Sequence, residues 1–118
     1  MSHSIYNKLS GLQCMWIIAM FDLPTKTKDD RNRANNFRKF LISEGYMRLQ
    51  LSVYATFAKS RAHAEPYLNH LDEMLPPAGN VRAIMITDKQ FGQMKNFSGF
   101  FSVSDEDREA PPEQLLLF

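Results

Sequence analysis

Apolar residues fill a short run near the N-terminus, from Met15 to Asp22, and the run ends in one carboxylate. A run of about eight apolar, partly β-branched residues that stops before Pro24 predicts a buried strand rather than a helix. Pro24 has no N–H for a strand ladder and biases Leu23 towards extended backbone, so the chain turns there. We expect this strand at the centre of a sheet, with Asp22 at its functional edge.

A helical pattern follows, from Thr27 to about Glu44. Thr27 and Asp30 have the spacing of a capping box, and the acidic residues of this first turn favour the positive end of the helix dipole. Gly45 stands where a glycine commonly ends a helix. The apolar residues that recur at three- and four-residue steps predict the buried stripe: Ala34, Phe37, Phe40 and Leu41.

The pattern then changes to period two over Tyr46 to Phe57, which indicates strand. Because this stretch is long for one strand, we expect a sharp turn or bulge near Gln50 to Ser52 to divide it into two short paired strands. Ser60 to Leu75 predicts a second helix, in which Pro66 lies in the first turn or causes a kink. Val81 to Thr87 alternates again and predicts the last strand.

The order strand–helix–strand–strand–helix–strand is typical of the α+β, ferredoxin-like βαββαβ fold, with an antiparallel sheet and both helices on one face. Both faces of the first strand are apolar, so we expect a second copy to cover the free sheet face in a sheet-to-sheet homodimer. We assign residues 1–95 to this domain with a short lead-in. Residues 96–118 are predicted to be a flexible acidic linker that ends in an apolar strand, Gln114 to Phe118.

Length and composition limit the class of protein. A chain of 118 residues forms one domain. Its single cysteine excludes an internal disulfide, and it has neither an export signal nor a run of ~20 apolar residues, so we expect a cytoplasmic protein. The formal net charge is only +1, but residues 26–48 hold seven basic and three acidic side chains, whereas residues 103–118 hold five acidic and one basic. The asymmetry indicates either a basic working face or a solvated helix beside an acidic tail.

Two groups of residues are candidates for chemistry. Asp22 is either an oxygen ligand for Mg²⁺ or an aspartate that hydrogen-bonds its own turn. Basic side chains of the first helix and its surroundings are candidates for sequence-independent phosphate contacts, or else are solvated helix charge. They are Lys26, Lys28, Arg31, Arg33, Arg38, Lys39 and Arg48.

Several segments in order resemble CRISPR-associated protein 2, the small partner of the CRISPR adaptation integrase. They are Met-Phe-Asp-Leu-Pro at the end of the first strand, Arg31-Asn32-Arg33, Phe37 to Leu41, Glu44-Gly45-Tyr46, Gln50 to Tyr54 and Thr87 to Phe91. The last of these is similar to the form found beside type II systems, where other adaptation components are further candidate partners. The resemblance covers roughly Met15 to Met94.

This resemblance implies two functions. One is a homodimeric scaffold for spacer acquisition, which bridges dimers of the integrase subunit, CRISPR-associated protein 1, and holds duplex prespacer DNA. The other is a Mg²⁺-dependent endonuclease on RNA or DNA, in which Asp22 from each subunit is the metal ligand and the catalytic residue. The resemblance also places Arg31, Arg33 and Arg48 near the active cleft of such an enzyme. Whether the chain is an enzyme stays open at the level of sequence.

Overall fold

The computed structural model describes residues 13–99, which form four strands and three helices. In chain order these are β1 (Met15–Asp22), α1 (Lys28–Ser43), β2 (Met47–Gln50), β3 (Val53–Ala58), α2 (Arg61–Glu73), β4 (Asn80–Thr87) and α3 (Asp88–Gly92). The first six elements are the βαββαβ sequence of a ferredoxin-like domain, which confirms the predicted fold class.

One antiparallel sheet of order β2-β3-β1-β4 carries the fold. β1 pairs with β3 on one side and with β4 on the other, so the apolar run identified in the sequence is indeed a central strand. Its side chains alternate between a fully covered face and a more open one. The covered face of β1 is formed by Met15, Ile17, Ala19 and Phe21.

Helices α1 and α2 pack on this covered face. Phe37 and Leu41 of α1 and Leu71 of α2 belong to the same buried cluster as Ile17 and Phe21. The ring centroids of Phe21 and Phe37 lie 5.2 Å apart in an edge-to-face arrangement, which is a favourable geometry for aromatic pairs. Both long helices therefore lie on one face of the sheet, as the sequence predicted.

The local signals at the ends of α1 are confirmed. The Asp30 backbone N–H donates to Thr27 Oγ1 at 3.0 Å, and the Thr27 N–H donates to Asp30 Oδ2 at 3.2 Å. Gly45 has a φ of +98°, the left-handed conformation that ends many helices. Pro66 lies beyond the first turn of α2, and the helix runs through it as one element.

The expected break in the long β segment falls between β2 and β3, with a bulge between Arg48 and Gln50. Arg48 lies opposite Tyr54, whereas Gln50 lies opposite Val53. Because a bulge inserts an extra residue, it reverses which side chains face the helices. Strict alternation along the sequence placed Gln50 and Tyr54 on one face, and the register separates them.

The segment after β4, which had no clear period in the sequence, begins with the short helix α3. Thr87 and Gln90 form a capping box at its start. The predicted acidic linker and apolar end of the chain lie outside residues 13–99. None of the helices within that range is long and apolar enough to cross a membrane.

Candidate functional site

Asp22 is the last residue of β1 and lies opposite Asn80 of β4. Strand alternation places it on the open face of the sheet, together with Trp16, Ile18 and Met20, and its side chain is exposed. Among the residues that the structure describes, no hydrogen bond or ion pair involves the Asp22 carboxylate. Its two oxygens are therefore accessible at the end of the central strand.

The backbone around Asp22 is held by a close approach of Gly79. A Cβ at Gly79 would lie 2.6 Å from the Asp22 carbonyl oxygen and 3.0 Å from Leu23 Cα, and the φ of Gly79 is +97°. Only a residue without a side chain fits this position without backbone movement. The turn before β4 thus fixes the strand end that carries the carboxylate.

Arg31 stabilises the loop that follows Asp22 by hydrogen bonds to its backbone. Its Nη1 donates to the carbonyl oxygens of Thr25 and Lys26, each at 3.1 Å. The guanidinium therefore already satisfies two loop carbonyls near the end of β1. Part of the donor capacity of Arg31 is thus used by the fold.

Arg33 pairs with an acidic residue of its own helix. Its Nη2 lies 2.9 Å from Asp30 Oδ1, and the same carboxyl group caps α1 through Thr27. The positive charge of Arg33 is thereby partly compensated.

Arg38 and Arg48 lie on the helix side of the sheet, around the rings of Phe21 and Tyr54. The Arg38 guanidinium carbon is 5.5 Å from the Phe21 ring centroid, and Phe21 is 5.6 Å from Tyr54. Arg48 stands opposite Tyr54 on the neighbouring strand. Burial is the largest cause that lowers the pKa of Arg38; the nearby Tyr54 raises it and Arg48 lowers it further. The side chains of Lys26, Lys28 and Lys39 are exposed and contact no carboxylate within the described range.

The structure therefore does not unite all candidate residues in one cleft. Asp22 lies on the open face, and Arg31 braces the adjoining loop. Arg38 and Arg48 lie on the opposite face of the sheet. Sequence order alone did not separate these two groups, because strand register and the bulge in β2 decide which face of the sheet a side chain lies on.

The open face of the sheet carries apolar side chains on all four strands. Met20 of β1, Phe57 of β3 and Ile84 of β4 are exposed large hydrophobic residues there, and Met47 of β2 extends the row. Contiguous exposed apolar surface of this kind marks an interaction site in soluble proteins. Within residues 13–99 only α3 packs on this face.

Helix α3 covers one end of the open face, and the sequence analysis missed this arrangement. Phe91 stacks on the Trp16 indole at 3.9 Å between centroids with 10° between the planes, and Phe57 meets the same indole edge-to-face at 5.5 Å. The Trp16 indole N–H also donates to Asp88. The capping-box spacing of Thr87 and Gln90 was the available signal for this helix.

One Asp22 per chain is a sparse donor set for a metal ion. Residues 13–99 contain no group of three or more His, Cys, Asp or Glu side chains placed to hold a metal. Mg²⁺ is commonly held by one or two carboxylates together with waters and substrate phosphate oxygens. The exposed Asp22 supplies one such carboxylate, and a second copy of the chain would supply the other.

Comparison with known proteins identifies relatives over the whole described domain. A sequence model of the family described as CRISPR associated protein Cas2 matches residues 15–94. A CRISPR-associated endoribonuclease Cas2 of Flavobacterium psychrophilum is 39% identical over 113 residues, which are 96% of this chain and 96% of the relative. A protein of the same name from Parvibaculum lavamentivorans is 39% identical over 104 residues, 88% of this chain and 100% of the relative. One from Campylobacter jejuni is 44% identical over 85 residues, 72% of this chain and 59% of the relative.

Proposed function

Because this chain belongs to the CRISPR associated protein Cas2 family, we propose that it acts in CRISPR adaptation as a homodimeric scaffold. The dimer bridges two dimers of the integrase subunit, CRISPR-associated protein 1, and holds duplex prespacer DNA in the cytoplasm. In this function the chemistry of spacer insertion belongs to the integrase partner.

The open apolar face of the sheet is the observation that carries this proposal. It leaves Met20, Phe57 and Ile84 exposed in the single chain. A second copy that packs its own open face here removes this surface from water on both chains, which stabilises the dimer at about 25 cal/mol for each Å² buried. A symmetric dimer then presents every other surface twice, as a bridge between two identical partners requires.

The exposed basic residues are the second observation that supports the scaffold function. Lys26, Lys28, Lys39 and Arg48 are exposed, and phosphate contacts by such side chains are sequence-independent and weaken with salt. A scaffold for foreign DNA of any sequence needs binding of this type. Arg31, Arg33 and Arg38 belong to the same proposed DNA surface and differ in how far the fold already uses them.

Reconstitution tests the scaffold function. The chain is mixed with its integrase subunit and a duplex DNA, and the mass of the complex is measured by light scattering after gel filtration. We expect two copies of this chain and two integrase dimers per complex. A complex that contains a single copy of the chain, or no complex at all, contradicts the proposal.

The alternative is a Mg²⁺-dependent endonuclease, favoured by the accessible Asp22 carboxylate and by relatives whose name is endoribonuclease. The two Asp22 side chains of a dimer would hold the ion, which when bound activates a water for attack on a phosphodiester. Arg31, beside the same loop, would contact the scissile strand.

Cleavage assays separate the two functions. Labelled single-stranded RNA and duplex DNA are incubated with the purified protein, with and without Mg²⁺, beside Asp22→Ala and the control Asp29→Ala. Cleavage that needs both Mg²⁺ and Asp22 but survives Asp29→Ala makes the chain an endonuclease. Absence of cleavage, or cleavage that persists in Asp22→Ala, contradicts the endonuclease function and leaves the scaffold function.

A further inference from the structure

The seven basic residues of the proposed DNA surface differ in what they already contact. Arg31 donates to two loop carbonyls, and Arg33 is paired with Asp30. Neither has its full charge and donor set available to a ligand. Arg38 and Arg48, in contrast, have no carboxylate partner within residues 13–99.

Arg38 is held in an unusual environment for a guanidinium. Its Nε is buried and has no hydrogen-bond partner among the described residues. Its Nη1 makes only a long contact of 3.4 Å to Asn35 Oδ1 on the same helix. The guanidinium carbon lies over the Phe21 ring, 5.5 Å from its centroid, within the range of a cation–π contact. The buried Nε is out of reach of an external ligand, so a phosphate binds Arg38 through its terminal amino groups, of which Nη1 makes only the long contact to Asn35.

Arg48 brings a second guanidinium to the same place. The register of β2 and β3 sets it opposite Tyr54, whose ring adjoins Phe21, so both arginines flank one aromatic pair. Arg48 also contributes to lowering the pKa of Arg38, as expected for two cations that repel each other at short range. Arg48 itself is exposed and reaches solvent at the β2 edge.

Two neighbouring cations, one of them half-buried, are destabilising unless an anion lies between them. A phosphate group carries the matching charge, and its oxygens accept from planar guanidinium forks. A single carboxylate also fits in charge but offers two oxygens rather than the several of a backbone phosphate. The pair is also open to solvent at the edge strand, where a long polymer can pass.

We propose that Arg38 and Arg48 together bind one backbone phosphate of the nucleic acid, as the fixed contact of the basic surface. This inference rests on the proposed DNA-holding function. It separates the basic residues into two groups: Arg38 and Arg48 bind the same phosphate, whereas Arg31 and Arg33 mainly support the fold. Arg38 is oriented by Phe21, so it binds with little loss of side-chain freedom.

Salt-dependent DNA binding tests the shared contact. Binding of a labelled duplex is followed by fluorescence anisotropy over a series of salt concentrations for wild type, Arg38→Gln, Arg48→Gln and the double variant. The matched control is Arg61→Gln, which removes the same charge from the exposed first residue of α2, outside the proposed DNA surface. The number of protomers per duplex is measured by light scattering, so that the slopes are expressed per protomer.

Each single variant is expected to bind on the order of tenfold more weakly, because a charge-assisted contact is lost. The double variant is expected to be little weaker than either single one. Its slope of log affinity against log salt falls by about 0.9 per protomer, the value for one phosphate, rather than about 1.8 for two. Arg61→Gln is expected to leave the slope nearly unchanged.

Three results overturn the inference while leaving the DNA-holding function intact. They are wild-type slopes in the two single variants, fully additive losses in the double variant, and a loss in Arg61→Gln as large as that in Arg38→Gln. Unchanged DNA binding together with weaker binding of the integrase subunit shows that the pair takes a protein carboxylate, and also overturns it. A wild-type protein that does not bind duplex DNA rejects the proposed function itself.

Stability measurements keep the test valid if Arg38→Gln folds poorly. Arg38→Met preserves the packing on Phe21 and removes an unpaired buried charge, so its thermal unfolding midpoint is expected at or above that of wild type. Arg48 is exposed, and Arg48→Gln is expected to fold normally. A strongly destabilised Arg38→Met beside unaffected DNA binding by Arg48→Gln shows a structural role for Arg38 and rejects the shared phosphate contact.

Discussion

The indole Nε1 of Trp16 donates a hydrogen bond of 2.7 Å to Oδ1 of Asp88, a residue 72 positions away in the chain. The bond fastens the start of α3 to the first strand, and Phe91 stacks on the same indole. One end of the open sheet face is thereby covered, while the end that carries Asp22 remains accessible. The contact divides the open face into a part used within the chain and a part available to a partner.

Loss of this contact is expected to destabilise the fold. Asp88→Ala should lower the free energy of unfolding by about 1–2 kcal/mol, the range for a hydrogen bond to a charged acceptor at a partly exposed site. Trp16→Phe keeps the aromatic packing and removes the donor. Urea unfolding of both single variants and the double variant measures their coupling, expected near 1 kcal/mol. Additive effects would show that the bond contributes nothing.

Within residues 13–99 two glycines have a positive φ, and they form a matched pair for a second prediction. Gly45→Ala introduces only backbone strain, because the nearest atom to the new Cβ is Thr56 Oγ1 at 3.9 Å, and should cost about 1–2 kcal/mol. Gly79→Ala adds a clash with the Asp22 carbonyl oxygen and should cost about 2–5 kcal/mol. Urea unfolding compares the two. Equal losses of unfolding free energy in the two variants would show that the backbone around Asp22 moves to accommodate the new Cβ without further cost.

The capping box of α1 predicts a dependence of stability on pH. The pKa of Asp30 lies below its usual 3.8, chiefly because the Thr27 backbone N–H donates to it, with further lowering by the side chains of Arg33 and Thr27. Because the folded state has the lower pKa, this stabilisation is complete above 3.8 and is lost as pH falls through the folded-state pKa.

Thermal unfolding of wild type and Asp30→Asn across this pH range measures the effect. The difference between their midpoints should be constant near neutral pH and should shrink as pH falls below 3.8. Asp29→Asn is the control, since it removes the neighbouring charge without a capping hydrogen bond, and its difference should be smaller throughout. A difference for Asp30→Asn that does not change with pH would contradict the assigned role of the carboxylate.

Self-association through the open face predicts different results for two isoleucines of similar exposure. Ile84 of β4 is 50% exposed on the open face, and Ile42 of α1 is 54% exposed on a helix that packs on the other face. Ile84→Glu should raise the dimer dissociation constant by at least about 100-fold, because it places a charge in a desolvated interface. Ile42→Glu should leave it unchanged. Sedimentation equilibrium measures both, and equal effects would place the interface elsewhere.

The sequence predicted the elements well where local chemistry decides them. The bounds of β1, the capping box of Thr27 and Asp30 and the glycine stop at Gly45 all agree with the structure. These features depend on hydrogen bonds and backbone conformations within a few residues, so the signals stand side by side in the chain. The central position of β1 also followed, because only a strand covered on both sides tolerates so many apolar residues.

It was harder to predict which face of the sheet each side chain lies on. The bulge between Arg48 and Gln50 changes which side chains of β2 point to the helices, and no turn motif in the sequence marks it. Two candidates for one basic surface, Arg31 and Arg48, are therefore used in different places. The contact of α3 with Trp16 depends on residues from both ends of the domain, and no local pattern encodes it.

By itself, the sequence determined the strand and helix order, the caps and the set of basic and acidic candidates, because these follow from neighbouring residues and from periodicity. Only the tertiary structure decided that Asp22 lies on the open face, that Arg33 is paired with Asp30, that Arg38 packs on Phe21 and that Arg48 lies opposite Tyr54. Strand register and helix packing set these relations. Both arise from contacts between residues far apart in the chain, whose free energies no local stretch contains.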